Sequence, residues 1–155
     1  MKLSSKENIE VPIEQVFDML TDFDRHERSA MRRGAEVQRT DSLGVPGVGS
    51  SWNIGFSFRG KDRKAKLAVT EFDRPYEMTL EAEMQGMDST VNLQLVALSK
   101  TLTRLNVTVE MAAQTLSARL MVQSFKLAKG SLSKRFDSRL ATQARDMEDR
   151  YSRPA

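Results

Sequence analysis

The chain of 155 residues contains no cysteine. Disulfides, thiolate nucleophiles and zinc–thiolate sites are thereby excluded. A single histidine argues against an all-protein transition-metal centre, and no metal or other cofactor is expected. No apolar run approaches the roughly 18 residues that cross a bilayer. The opening Met1-Lys2-Leu3-Ser4-Ser5-Lys6-Glu7 has no apolar stretch of the signal-peptide kind. A cytoplasmic protein without an integral membrane segment is the resulting expectation. No serine-histidine-acid or cysteine-histidine arrangement is recognisable in the sequence. His26 lies in Asp24-Arg25-His26-Glu27-Arg28, which reads as a solvated, charged segment. Asp22 and Asp24 read as an ordinary loop pair rather than glycosidase carboxylates. Gly44, Gly47 and Gly49 open no helix, so they read as a flexible rim and not as a phosphate cradle. No catalytic residue is assigned.

What is present suits one domain over 1–155, with 39% apolar residues for a core and 29% charged residues for a surface. Net charge is +3 and unevenly placed. Positions 116–155 carry nine basic and four acidic residues, a net of +5, which leaves −2 for the remainder. Such a tail is either a solvated helix face or a surface for RNA, a ribosome or an anionic membrane. DNA is not expected as a partner.

Periodicity divides the chain. Positions 2–11 alternate as a strand, with Leu3, Ile9 and Val11 on one parity. Pro12 suits the first turn of a helix, and Ile13, Val16, Phe17 and Leu20 follow at the spacing of one helical face. A second short helix is predicted over 25–33, ending at Gly34. From 35 to 111 the period becomes two, giving six further strands. Their apolar faces are Val37; Trp52, Ile54, Phe56 and Phe58; Ala65, Leu67 and Val69; Tyr76, Met78, Leu80, Ala82 and Met84; Val91, Leu93, Leu95 and Ala97; and Leu105, Val107, Val109 and Met111. Tight turns are predicted at 59–62, 73–75, 86–89 and 99–101. After Gln114 the period is again helical, and Met121, Phe125, Ala128, Leu132, Phe136, Leu140, Met147 and Tyr151 form one stripe, with Leu116 and Leu120 at its start. A straight helix over 116–151 would run about 54 Å, against about 33 Å for a ten-residue strand. A bend is expected at Gly130, beside Ser131 and Ser133.

Apolar faces match across the sheet if Phe56 opposes Leu67, Leu67 opposes Leu80, Leu80 opposes Leu95 and Leu95 opposes Val107. The same register sets Lys66 against Glu81 and Lys64 against Glu83 on the polar face. Seven strands span roughly 30 Å, and one helix is about 10 Å across. The sheet must curl around the helix, and one helix cannot fill the curl. The expected fold is α+β: a seven-stranded curved antiparallel sheet wrapped around a long C-terminal helix, with two short helices between strands 1 and 2 and a pocket between sheet and long helix.

Three segments carry a family resemblance: Ile9-Glu10-Val11-Pro12-Ile13-Glu14-Gln15-Val16-Phe17-Asp18-Met19-Leu20, Gly47-Val48-Gly49-Ser50-Ser51-Trp52, and Thr70-Glu71-Phe72-Asp73-Arg74-Pro75-Tyr76. With the long last helix they make the chain resemble the helix-grip fold of the START-like (SRPBCC) superfamily. That superfamily includes polyketide cyclases, coenzyme-Q-binding proteins and plant allergen-type carriers. The resemblance implies a hydrophobic ligand, while functions within the superfamily differ widely.

The cavity-lining residues expected from these faces are Trp52, Ile54, Phe56, Leu67, Val69, Met78, Leu80, Leu93, Leu95, Val107, Val109, Met121 and Phe125. The nine methionines read equally as an adaptable pocket wall and as ordinary core. Ser5 and Glu7 share the apolar parity of the first strand, and Arg39 shares that of Val37. Glu7 and Arg39 are candidate polar groups for orienting a ligand, with a bulge, a frayed end or a wet mouth as the alternative; Glu71 is a similar case. The functional expectation is a carrier or sensor of a lipid, quinone or polyketide-like molecule. One alternative is a cyclase or dehydrase using Glu7 and Arg39. The other is a ribosome- or RNA-associated module acting through Lys134, Arg135, Arg139, Arg145 and Arg150.

Overall fold

Alternating residues in the first two thirds of the chain build one sheet, and the helical stripe of the last third covers part of it. The computed structural model describes residues 1–153; the last two positions of the expected 1–155 domain lie outside them. In chain order the elements are β1 (Lys2–Ile9), α1 (Ile13–Leu20), α2 (Phe23–Arg32), β2 (Glu36–Arg39), β3 (Ser51–Phe58) and β4 (Lys61–Asp73). β5 (Glu77–Met84), β6 (Met87–Ala97), β7 (Thr103–Ala113), α3 (Leu116–Leu127) and α4 (Lys129–Ser152) complete the chain. The strands form one antiparallel sheet in the order β1-β7-β6-β5-β4-β3-β2, so β1 and β2 are its two edges. This is the helix-grip architecture.

The local reasons are visible. Pro12 stands immediately before α1 and its carbonyl accepts the Val16 N–H at 3.0 Å. The Thr21 hydroxyl donates to the Phe17 carbonyl at 2.8 Å and closes α1. Asp22, read from sequence as part of a loop pair, is the N-cap of α2 and accepts from the Arg25 N–H. α1 buries Val16 and Phe17, and the Phe17 ring meets Phe72 edge-on at 5.2 Å. Burial of each such side chain contributes about 1.5–3 kcal/mol.

The expected registers shift while the expected faces largely hold. Trp52, not Phe56, opposes Leu67; Leu67 opposes Ala82; Leu80 opposes Val91; and Leu95 opposes Leu105. Lys66 consequently faces Glu83, and Lys64 faces Gly55. For β3–β4 and β5–β6 the cause is turn length. β3 and β4 are joined by Arg59-Gly60 alone, and β5 and β6 by Gln85-Gly86 alone. All four residues have positive φ, as two-residue hairpins of matching twist require. The longer turns expected at 59–62 and 86–89 displaced each register by an even number of residues, which preserves the face. At β4 the face does change. A bulge between Val69 and Glu71 turns Glu71 outward, where its carboxylate accepts from the Thr79 hydroxyl at 3.4 Å, and sends Phe72 inward.

The long helix breaks at Ala128, two residues before the expected Gly130, which lies inside the first turn of α4. The Ala128 N–H is shared between the Ser124 and Phe125 carbonyls at 3.2 and 3.1 Å, a tightened last turn of α3. The break lets the two halves serve two clusters. Ala118 and Val122 of α3 pack with Met87, while Leu140, Ala144 and Met147 of α4 join the main core with Ile9, Phe17 and Leu105.

Gly86 is held by more than its φ of +83°. A Cβ there would lie 2.4 Å from Thr115 Cγ2 and 2.6 Å from Oγ1. Thr115 cannot swing aside freely, because its hydroxyl caps α3 by accepting the Ala118 N–H at 3.2 Å. Gly86→Ala is expected to cost about 2–3 kcal/mol, the sum of a left-handed residue and a disturbed cap. Urea denaturation of the variant, with Gly60→Ala as a control that has the same φ sign and open space around it, measures the difference.

Candidate functional site

The covering helix sits to one side. α4 lies along the β1 edge: the Ser5 hydroxyl donates to Asp137, and the Glu10 N–H donates to Glu148 at 2.8 Å. Most of the inner face of β2 to β5 is therefore left to α2 rather than to α4. Between α2 and these strands is a pocket of about 410 Å³. Its walls are Val37, Trp52, Ile54, Leu67, Met78, Leu80, Val91 and Leu93 from the sheet, with Leu20, Phe23, His26, Glu27 and Ala30 opposite. The volume falls in the roughly 300–1,000 Å³ range of small-molecule sites. Glu27 is the one carboxylate in this wall.

Beside it, a groove of about 1090 Å³ runs between α2 and α4. Phe56, Leu105, Val107, Phe136, Leu140 and Met147 contribute apolar surface, and Arg25, Arg32, Arg33, Asp146 and Arg150 line it as well. Leu20, His26, Ala30 and Leu93 border both spaces. Two depressions on the sheet, near Lys64, Lys66, Glu81 and Glu83, are lined largely by exposed polar and charged side chains.

Of the side chains expected to line a cavity, Trp52, Ile54, Leu67, Met78, Leu80 and Leu93 meet in the pocket, and Phe56 and Val107 border the groove. Val69 and Leu95 are buried in the main core and line neither space. Val109 lines neither space. Met121 and Phe125 belong to the separate cluster under α3, because the break at Ala128 carries that half-helix away from the pocket. The space expected between sheet and long helix corresponds to the groove, where Phe56, Leu93, Leu105 and Val107 face Phe136, Leu140 and Met147 of α4, and the more apolar pocket lies beside it, between sheet and α2.

The polar candidates separate too. Glu7 is on β1 opposite Leu105, and Arg39 is on β2 opposite Trp52. They occupy opposite edges of the sheet and cannot orient one ligand group together. Arg39 instead closes one end of the pocket wall. Its guanidinium lies 5.1 Å from the Trp52 ring centre and 5.8 Å from that of Phe23. It donates to Asp41 and, at 3.2 Å, to Glu27. The Glu27 carboxylate is thereby neutralised, and α2 is tied to β2 and to the loop after it. Asp41 also accepts the Ser51 and Leu43 N–H groups at 2.8 and 2.9 Å. The Arg39 hydrogen bond foremost, then these amides, hold the Asp41 carboxyl down at about 2 from its ordinary 3.8. The Arg39 guanidinium is raised in turn, chiefly by its hydrogen bond to Asp41.

The helix expected over 25–33 is present as α2, but its pocket-facing side was not legible in the sequence. Phe23, His26, Glu27 and Ala30 follow the i, i+3, i+4, i+7 spacing of one helical face, but the four charged residues that surround His26 over 24–28 masked it. His26 is solvent-exposed, as expected, yet its ring borders both spaces. Its Nε2 lies 3.1 and 3.0 Å from the Met19 and Leu20 carbonyls at the end of α1.

No protein-family model matches the chain, and no curated protein matches its sequence. Its structure is similar to many solved ones. TTHA0849 from Thermus thermophilus aligns over 99% of this chain and 100% of that one, with 13% identity and a TM-score of 0.70. The Zhui aromatase/cyclase from Streptomyces sp. R1128 aligns over 97% and 95%, with 11% identity and a TM-score of 0.69. Norcoclaurine synthase from Thalictrum flavum aligns over 96% and 84%, with 11% identity and a TM-score of 0.63. These likenesses show a shared fold, the helix-grip arrangement of a curved antiparallel sheet and a long C-terminal helix. No helix among the described residues is long and apolar enough to cross a membrane.

The Asp41 shift has a defined pH signature. A carboxyl depressed in the folded state contributes stability above its unfolded pKa, and that contribution fades as pH falls from about 4 toward 2. Asp41→Asn is therefore expected to be less stable than the parent at about pH 5, with the gap narrowing between about pH 4 and 2. Urea midpoints measured at a series of pH values test this; a gap that does not change with pH excludes it.

Proposed function

We propose that the protein binds a hydrophobic small molecule of the lipid, quinone or polyketide kind in the pocket under α2, as a carrier or sensor. The observation that carries this reading is the pocket wall. Eight sheet residues present only apolar side chains, apart from the indole of Trp52, and the single carboxylate opposite them is already paired with Arg39. Such a wall offers dispersion and desolvation, and little to polarise a bond. The similar structures named for an aromatase/cyclase and a synthase support an aromatic or polyketide-like occupant on the same fold.

A cyclase- or dehydrase-type enzyme is the second reading, and His26 favours it. It is the chain's sole imidazole, and it borders both the pocket and the groove where a bound chain would emerge. The Glu7 and Arg39 pair expected from sequence does not support catalysis, since Glu7 is remote and Arg39 is engaged with two carboxylates.

Trp52 is the only tryptophan and forms part of the pocket wall, so its emission reports occupancy directly. Titration with a fatty acid, a quinone and an aromatic polyketide is expected to shift or quench that emission for at least one of them. Ala30→Phe, which fills the pocket from α2, is expected to weaken that binding by about tenfold or more, equivalent to about 1.4 kcal/mol. If no compound alters the emission or stays bound in native mass spectrometry, the reading fails. Conversion of the bound polyketide, lost in His26→Gln with binding intact, would move the conclusion to the enzyme.

A further inference from the structure

α3 is apolar on two sides. Its inner side, Ala118, Met121, Val122 and Phe125, packs with Met87 and Met111. Its outer side presents Leu116, Leu120 and Leu127, which are 72%, 65% and 92% exposed. At about 100° per residue these three leucines fall within about 40° of one another, a continuous stripe on the solvent face. Single exposed leucines are ordinary; three aligned on one helix mark a contact surface.

The charges beside the stripe identify what it contacts. Arg119 and Lys126 flank it on one side at the same helical spacing. On the other side stand Ser117 and Ser124, and Arg59 from the β3–β4 turn donates to the Ser124 hydroxyl at 3.1 Å. Residues 111–136 hold five cations, Arg119, Lys126, Lys129, Lys134 and Arg135, and no carboxylate. The rest of α4 differs. Asp137, Asp146, Glu148 and Asp149 are interleaved there with Arg139, Arg145 and Arg150, and Arg150 is paired with Asp146 at 3.1 Å. The uneven charge of the tail is thus concentrated on the element that carries the bare leucines and on the first two turns of α4.

We propose that this face of α3 docks onto an anionic lipid bilayer, with the leucines entering the acyl boundary and Arg59, Arg119 and Lys126 held at the phosphate level. A leucine stripe flanked by cations is the pattern of a helix lying in the plane of a membrane surface. A second copy of the chain fits less well, because two-fold pairing through α3 sets its cations against themselves. RNA would use the cations but leave the leucines in water. The surface lies apart from the pocket, and its use does not depend on what the pocket holds.

The test is co-sedimentation of the full chain with vesicles of phosphatidylcholine alone and of equal parts phosphatidylcholine and phosphatidylglycerol. Binding is expected to the mixed vesicles, to be weaker or absent with phosphatidylcholine alone, and to fall as salt is raised. Arg119→Gln with Lys126→Gln is expected to lower partitioning roughly thirtyfold, two cations at an anionic surface. Leu120→Ser with Leu127→Ser is expected to lower it by about tenfold or more, with the melting temperature unchanged because both side chains are already exposed. No binding to the mixed vesicles overturns the proposal. So does binding that the serine variant retains, which leaves the cations acting on any polyanion. A dimer in size-exclusion chromatography that the serine variant dissolves also overturns it and assigns the stripe to a second copy.

Discussion

The lateral seat of α4 on the β1 edge is the constraint from which the rest of the site follows. The sheet is seven strands wide and a helix covers only a fraction of that width. Asp137 and Glu148 fasten α4 to β1 by hydrogen bonds to Ser5 and to the Glu10 amide. The helix then cannot also cover β2 to β5. An apolar sheet face left open to water would be costly, and α2 is the element that closes it. The pocket is the space that remains because α2 is only ten residues long and mostly charged on its outer side.

The Arg39 cluster has its importance for the same reason. A short helix contributes little stability of its own, and tertiary contacts must hold it in place. Arg39 does this with two carboxylates and two aromatic rings, drawing α2, β2 and the following loop together. It satisfies the only carboxylate in the pocket wall, which keeps the interior nearly free of charge. A residue that reads in the sequence as an inward-pointing ligand anchor is in the folded chain a fastener for the pocket lid.

The sheet shows how far periodicity carries and where it stops. Parity assigned nearly every strand face correctly, because an error of two or four residues in register leaves the same side chains inward. The registers themselves depended on whether Arg59-Gly60 and Gln85-Gly86 would each form a whole turn. That required Arg59 and Gln85 to accept positive φ, which neither residue type favours by itself. The bulge after Val69 reversed the parity of Glu71 and Phe72, and no local pattern in Thr70-Glu71-Phe72 announces it. On α2 the apolar spacing was legible, but Phe23 and Ala30 are few apolar residues among many charges. Only the open sheet face beneath them makes that side the buried one.

The sequence by itself determined the class of architecture: seven alternating segments, two short helices after the first strand and a long terminal helix leave few arrangements that bury every apolar face. It also excluded disulfide and thiolate chemistry, since the chain has no cysteine. Tertiary structure decided where the pocket lies, which of the expected wall residues reach it, and that the terminal helix divides at Ala128. The physical reason is that periodicity is a property of a single element. The position of a cavity depends on how unequal widths, a helix against a curved sheet, fail to fill one another.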